Sequence, residues 1–237
     1  MSMSSAEVPP AGLHPPGAAA TVPGGNVAAG VRAQILATEH WSLLATRSMA
    51  WSEVMSRITI HLTVASASLV VLALMAQASG FGTAFFVMAI GLAAAVLVLG
   101  TLTAMRVSNA SVDDSSMVIG MNRLRAAYLD LDPGLAPYLV TSGHDDERGL
   151  MDTYLMGYPR SRVSHVVAST SFFLNTFNSI VAGTLAALIT YAASGGPVLV
   201  AVLGVVGGLA YLLVHLELGR RYFGSIRLTS RFPTPTS

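Results

Sequence analysis

The side chains best suited to chemistry lie in an otherwise apolar stretch, STSFFLNTFNS at 169–179. Helical spacing of three and four places polar residues on one face, with Phe173 and Leu174 opposite; the polar set is Ser171, Asn175, Asn178 and Ser179. Two interpretations stay open: the face hydrogen-bonds to a neighbouring helix, or it lines a water-filled conduit formed with the same strip of neighbouring subunits. Amide side chains do not titrate, so a proton pump is not expected.

Ionisable residues within or next to apolar stretches form a second candidate set, because a charge in lipid is costly. They are His61, His215, Glu217 and Arg221. Glu217 precedes Arg221 by four positions, in the orientation that favours an ion pair on a helix. Each histidine lies within about one turn of a predicted membrane boundary, which its side chain can reach. We interpret the set as interfacial; the alternative is that the two histidines face each other and sense pH.

A third candidate is the segment TSGHDDERGLMDTYL at 141–155. Thr141 or Ser142 is expected to cap a helix whose first turn contains three acids, since the helix dipole favours acids there. These acids are Asp145, Asp146 and Glu147. The alternative is a divalent-cation site with oxygen ligands, in which these acids and His144 are joined by Asp113, Asp114 or Asp152 from elsewhere in the chain. Consecutive acids on a helix point in different directions, so this spacing makes no chelating face, and we expect no metal or cofactor.

The sequence contains no enzyme signature: there is no P-loop, no G-x-G-x-x-G after a strand, no G-x-S-x-G and no H-E-x-x-H. It has no cysteine, which excludes disulfides and thiolate chemistry. The 13 basic and 12 acidic residues nearly balance, so no dense basic face is expected and nucleic acid is not an expected partner. We predict a protein that is not an enzyme.

The composition is that of a membrane protein, with 53% apolar and 11% charged residues where soluble domains have about a quarter charged. Four stretches reach the roughly 20 apolar residues that cross a bilayer. Short uncharged links, SGFG and SGGP, join them in pairs, 58–79 with 81–105 and 166–193 with 197–218. Arginines flank the other ends, at Arg57, Arg106, Arg160, Arg162, Arg220 and Arg221. The positive-inside rule then makes both termini cytoplasmic, as in a multi-pass protein of the plasma (inner) membrane.

The predicted fold is all-α, a polytopic membrane protein with four transmembrane helices in two hairpins and a cytoplasmic helical stalk. Apolar residues recur at helical spacing from Ala37 to Ile58 and again from Met117 to Leu131, so two helices should pack together as the stalk. The expected organisation is a disordered Pro-, Ala- and Gly-rich tail (1–30), an amphipathic helix (31–57), the first hairpin (58–105), a cytoplasmic helical region (106–164), the second hairpin (165–218) and a C-terminal tail (219–237).

The run MNRLRAAYLDLDPGLAPYLVTSGHDDERG, with LLATRSMAWSEVMSRI before the first span, resembles a family of uncharacterised bacterial four-span membrane proteins over residues 43–149. That resemblance implies the four-span layout and no particular activity. In layout alone, the first half is also similar to SLATT domains, two-span modules predicted to act as membrane effectors in bacterial defence.

Three functional hypotheses follow. The first is a non-enzymatic, channel-like or effector membrane protein that acts as a homo-oligomer or with a protein partner, whose stalk senses or docks that partner. The second is a membrane scaffold or accessory subunit that conducts nothing. The third is a small-molecule transporter, for which four helices offer little room for a substrate cavity. The first two differ in whether Asn175 and Asn178 contact water.

Overall fold

A computed structural model of the chain describes residues 28–156, 164, 167–224 and 229–235, and these residues contain helices and no strand. Five α-helices run in chain order: α1 Ala29–Ser79, α2 Thr83–Leu131, α3 Glu147–Leu155, α4 Thr170–Ala192 and α5 Pro197–Gly224. A short 3-10 helix, Pro133–Tyr138, follows α2. Four of the helices, α1, α2, α4 and α5, are long and apolar enough to cross a membrane. The all-α membrane class predicted from the composition is therefore confirmed.

Helices α1 and α2 are continuous over 51 and 49 residues. No proline interrupts either one, so nothing removes a backbone donor or forces a kink. α1 ends at Gly80, whose φ of 67° is a conformation that residues with a Cβ rarely adopt. α2 ends at Asp132, which precedes Pro133 and is extended, with φ −150°. The helix predicted at 31–57 and the apolar stretch predicted at 58–79 therefore form one continuous helix.

Helices α1 and α2 lie antiparallel along much of their length. His40 stacks on Tyr128 with ring centroids 6.0 Å apart. Closer to the apolar segments, the Arg47 Nε lies 2.6 Å from the Asp114 carboxylate, and Arg106 pairs with Glu53 at 2.8 Å. The first helix of the pair is therefore held to the second by polar contacts at one end and by apolar packing at the other.

Helices α4 and α5 approach each other closely through glycine. A Cβ on Gly183 would lie 2.7 Å from the Gly204 carbonyl oxygen, and one on Gly208 would lie 2.8 Å from the Ser179 carbonyl oxygen. Main-chain atoms cannot move aside as a flexible side chain can, so this contact requires glycine at both positions. A tight turn joins the two helices at Ser194, which has φ 62°.

The apolar core lies where α4 crosses α1 and α2. Leu174 is fully buried there, among Val54 and Ile58 of α1 and three small or branched residues of α2, namely Ala104, Val107 and Ala110. The expectation that Leu174 lies opposite the polar face, away from its neighbours, is wrong. Elsewhere the apolar helices expose large side chains, such as Leu69 (68%) and Val198 (76%), a surface suited to lipid.

The start of α3 differs from the prediction. The helix begins at Glu147 and its N-cap is Asp146, whose carboxylate accepts a hydrogen bond from the Gly149 amide at 2.8 Å. Thr141 and Ser142 precede the helix and do not cap it. Only Glu147 of the three acids lies in the first turn. The predicted disordered tail, apart from residues 28–30, and the flanking arginines Arg160 and Arg162 lie outside the described residues.

Candidate functional site

A buried polar cluster lies between α1, α2 and α4, and it contains two of the four residues predicted for the polar face. Asn178 is fully buried and Asn175 is 7% exposed. His61 of α1 is also fully buried, and its ring meets the Phe177 ring edge to face at 5.4 Å. We call His61, Asn175 and Asn178 the polar cluster.

Gly100 of α2 makes room for the polar cluster. A Cβ at this position would lie against the Asn178 Oδ1 atom and 2.7 Å from the His61 Cε1 atom. The imidazole, the amide and the α2 backbone therefore meet at one point. Since neither neighbour is exposed to solvent, neither can swing away without displacing other packed groups.

The polar atoms of this cluster lack hydrogen-bond partners among the described residues. Neither ring nitrogen of His61, neither amide atom of Asn178 and not the Asn175 Oδ1 atom makes a hydrogen bond of good geometry to a described residue, although the Asn178 amide faces the His61 ring as a poorly aligned partner. An unsatisfied buried polar group costs about 1–3 kcal/mol in proteins, and helices in lipid normally satisfy such groups through neighbours. The cluster is therefore a set of buried polar groups whose hydrogen bonds are incomplete among the described residues.

The other predicted residues lie elsewhere. The Ser179 hydroxyl donates to the Thr176 carbonyl at 2.8 Å within its own helix, and Ser171 is half-buried. His215 stacks on Tyr211 of its own helix, with ring centroids 4.2 Å apart. His61 lies in the buried cluster, and its contacts there are with Phe177 and Asn178.

The ion pair predicted at the end of α5 is present. Arg221 lies 2.8 Å from Glu217, and Arg220 lies 2.9 Å from the same carboxylate. Both arginines are more than three-quarters exposed. An exposed ion pair of this kind contributes little to stability. Its effect here is to keep charged side chains at the end of α5.

A second buried polar site centres on Asp114 of α2, which the sequence suggested only as a possible cation ligand. Its carboxylate accepts hydrogen bonds from Arg47 at 2.6 Å, from the Trp51 indole at 2.8 Å and from the Tyr154 hydroxyl at 2.7 Å. Burial alone would raise the pKa of Asp114, but these three donors outweigh it and hold the pKa below its ordinary value. Asp114 thus joins α1, α2 and α3 through one ionised group.

Asn122 of α2 fixes the segment before α3. It is fully buried, and its amide nitrogen donates to the carbonyls of His144 at 2.7 Å and Gly149 at 3.2 Å. Its amide oxygen accepts from Arg125 at 2.6 Å and from Thr153 at 3.0 Å. Both groups of the Asn122 amide, the donor nitrogen and the acceptor oxygen, make hydrogen bonds. This uncharged side chain therefore aligns α2 with the segment before α3 and with α3 itself.

The acidic pair predicted at 145–146 contacts the C-terminal segment of the same chain. The fully buried Asp145 carboxylate accepts from the Arg123 guanidinium, the Ser230 hydroxyl and the amides of Arg231 and Phe232, at 2.6–3.0 Å. Asp146 accepts from the amide and the hydroxyl of Thr234, at 2.7 and 2.9 Å. These oxygens, considered above as cation ligands, are engaged in hydrogen bonds to peptide groups.

No family model, curated protein sequence or solved structure matches this chain. What the molecule can do is therefore inferred from three arrangements of its own residues. They are the polar cluster, the ionised Asp114 that joins α1, α2 and α3, and the acidic pair that holds the C-terminal segment.

Proposed function

We propose that the chain is a non-enzymatic membrane protein of the channel or effector type, in which the polar cluster is a hydrated point on a path for a small polar species. The observation that carries this proposal is the burial of His61, Asn175 and Asn178 inside an apolar helix bundle with incomplete hydrogen bonding among the described residues. Polar residues at membrane depth that face the bundle interior commonly mark such pathways.

The proposed topology has two transmembrane hairpins, α1 with α2 and α4 with α5, with both termini cytoplasmic. Residues 29–57 and 106–131 then form a cytoplasmic stalk, which senses or docks a partner. Three observations support this arrangement. Charged contacts such as Arg47 with Asp114 lie at one end of α1 and α2, the connecting turns at 80–82 and 193–196 carry no charge, and segment 229–235 contacts the Asp145–Asp146 pair between the second and third spans.

The proposed path lies within one chain. Asn175 and Asn178 lie against helices of their own chain and expose almost nothing outward, so a pore lined by them between subunits would require α4 to rotate. Oligomerisation stays part of the proposal, because α4 and α5 share an outer groove of about 740 Å³ lined by small residues such as Gly183, Ala187 and Gly204.

Single cysteines in this naturally cysteine-free chain test for water at the polar cluster. Asn175→Cys and Asn178→Cys should react with a small charged methanethiosulfonate in sealed vesicles, because a hydrated site reaches these positions. Ile180→Cys, whose side chain is 64% exposed on the apolar exterior, should stay unreacted. Phe173→Cys, about two turns closer to the start of α4 than Ile180 and 54% exposed, shows how far the reagent penetrates at the helix exterior.

The rate of modification, read by mass spectrometry, decides the outcome. Reaction at Asn175 and Asn178 that is at least tenfold faster than at Ile180 supports a hydrated path and justifies conductance recordings on planar bilayers. Equal protection at all positions contradicts the path, and the polar cluster then serves packing alone.

Cysteine labelling from one side also tests the topology. Gly82 and Gly196 lie in the two turns, and a Cβ on either meets no atom within 4 Å, so cysteine fits both. The impermeant reagent should modify Gly82→Cys and Gly196→Cys in right-side-out vesicles, and Thr229→Cys only in inverted ones. Labelling of the turns and of Thr229 from the same side would rule out two hairpins.

The second candidate function is a scaffold or accessory subunit that conducts nothing. It is favoured by the contacts of Asp145 and Asp146 with residues 230–234, which show that the region between α2 and α4 can hold a peptide segment. Protection of Asn175 and Asn178 from the thiol reagent, together with unchanged bilayer conductance, would support this alternative.

A further inference from the structure

Segment 229–235, with the sequence TSRFPTP, lies on the acidic pair and bends at Arg231 and Phe232. The bend brings the consecutive amides of these two residues to the same carboxylate, that of Asp145. Exposure alternates along the segment: Ser230, Phe232 and Thr234 are half-buried, and the residues between them are exposed. The segment therefore presents one face, Ser-x-Phe-x-Thr, to the site.

The main-chain contacts are reciprocal. The Asp145 amide donates to the Phe232 carbonyl at 3.2 Å, while the Asp145 carboxylate accepts from the Phe232 amide at 2.7 Å. Arg123 closes the site from α2, donating to the Thr229 carbonyl at 2.8 Å and to Asp145 at 2.7 Å. A fully buried carboxylate with a guanidinium partner and three peptide-derived donors is a built recognition site.

We propose that Arg123, Asp145 and Asp146 form a peptide-recognition site for a Ser/Thr-x-Phe-x-Ser/Thr segment, and that the chain's own residues 230–234 are its resident occupant. The site makes hydrogen bonds to main-chain amides and to two hydroxyl groups of the segment. It therefore accepts different side chains at the exposed positions 231 and 233. Segment 229–235 follows α5, so occupancy also connects the end of α5 to α2 and α3. This proposal does not depend on a conductive path.

The ionised carboxylates make the site sensitive to charge on its occupant. The Ser230 hydroxyl donates to Asp145 at 2.6 Å. A phosphate on that hydroxyl carries a charge of about −1.5 to −2 at neutral pH and would lie against a buried carboxylate. Phosphorylation of Ser230 should therefore remove the segment from the site.

Release of the segment can be measured in the full chain. A nitroxide on Thr229→Cys, whose side chain is exposed, should give an immobilised spectrum. Asp145→Asn should make the label mobile, because the neutral amide replaces one oxygen acceptor with a donor and no longer pairs with Arg123. Asp130→Asn, an exposed acid on α2, is the matched control and should leave the label immobilised. Equal mobility in all three proteins would overturn the proposal.

Recognition in trans is tested on a full chain whose own segment carries Ser230→Ala, Phe232→Ala and Thr234→Ala. A fluorescein-labelled peptide, TSRFPTP, should bind this protein saturably, and at least tenfold more weakly when Asp145→Asn is added, since charged hydrogen bonds are lost. The same peptide with phosphoserine at the second position should also bind at least tenfold more weakly. Absence of binding, or equal binding by the phosphopeptide, would overturn the assignment.

Discussion

Replacing Gly100 with valine should lower the free energy of unfolding by about 3 kcal/mol, as overpacking of a dense junction does. The new side chain would occupy the space taken by the Asn178 amide and the His61 ring, both fully buried. Equilibrium unfolding in mixed micelles titrated with a denaturing detergent, followed by circular dichroism, measures the change.

Gly91→Val in the same helix is the matched control, because a Cβ at Gly91 meets nothing within 4 Å. Its effect should stay within about 0.5 kcal/mol. The smaller substitution Gly100→Ala should be rescued in part by Asn178→Ala, which removes the atom that the new methyl group meets. Equal effects at Gly91 and Gly100, or no rescue, would show that the polar cluster does not lie against α2.

Asp114→Asn should cost about 2–3 kcal/mol of stability and loosen the contact of α1 and α3 with α2. The substitution leaves the Arg47 guanidinium without its charged partner and replaces one acceptor oxygen with a donor facing Arg47, Trp51 or Tyr154. Removing one member of a buried ion pair generally costs 3–5 kcal/mol, and Arg47 is 34% exposed, which reduces the loss. Unfolding followed by the loss of helix content measures the change in the free energy of unfolding. Trp51 fluorescence provides a local signal at the Asp114 site.

The neighbouring acid provides the control. Asp113 has a side chain that is 63% exposed and lies 3.8 Å from Arg106, so Asp113→Asn should change stability by less than about 0.5 kcal/mol. If the two asparagine variants unfold alike, the three donors around Asp114 do not contribute the stability that we assign to them.

The effect of Asp114→Asn should depend on pH. The folded-state pKa of Asp114 lies below 3.8, its ordinary value. Stability from the ionised group is therefore fully present above 3.8 and is lost as the pH falls through the folded-state pKa. The difference in unfolding free energy between wild type and Asp114→Asn should be constant from pH 7 to about 5 and shrink below 3.8. A difference that grew on acidification would contradict the assignment.

The sequence predicted the long helices well because their signals are local. Apolar length, the position of Gly80 and the Asp132-Pro133-Gly134 breaker each act within a few residues, and α1 and α2 end where these signals lie. The start of α3 was placed too early because Ser142 and Asp146 are both good N-cap residues, and only the contacts of Asp146 with Gly149 and Thr234 select between them.

The candidate site was predicted less completely, because the spacing of residues defines a helical face but does not show which helix packs against that face. Asn175 and Asn178 were identified, but their partner His61 was interpreted as interfacial from its position near Arg57. A signal was present: Val54, Ile58 and His61 follow each other at intervals of four and three, and all are buried. The contacts of Asp114 and Asp145 gave no such signal, because their partners lie 22 to 87 residues away along the chain.

The order in which the chain is made gives the contact between Asp145 and residues 230–232 a further consequence. Arg123 and Asp145 are synthesised before α4 and α5, whereas their peptide partners follow α5. In the proposed topology, the hydrogen bonds of Asp145 to residues 230–232 form only after α5 has been inserted with its end on the same side as α3. On that proposal, a chain whose α4 or α5 inserts in the wrong direction leaves Asp145 and Asp146 without these partners, and closure of the site reports correct assembly.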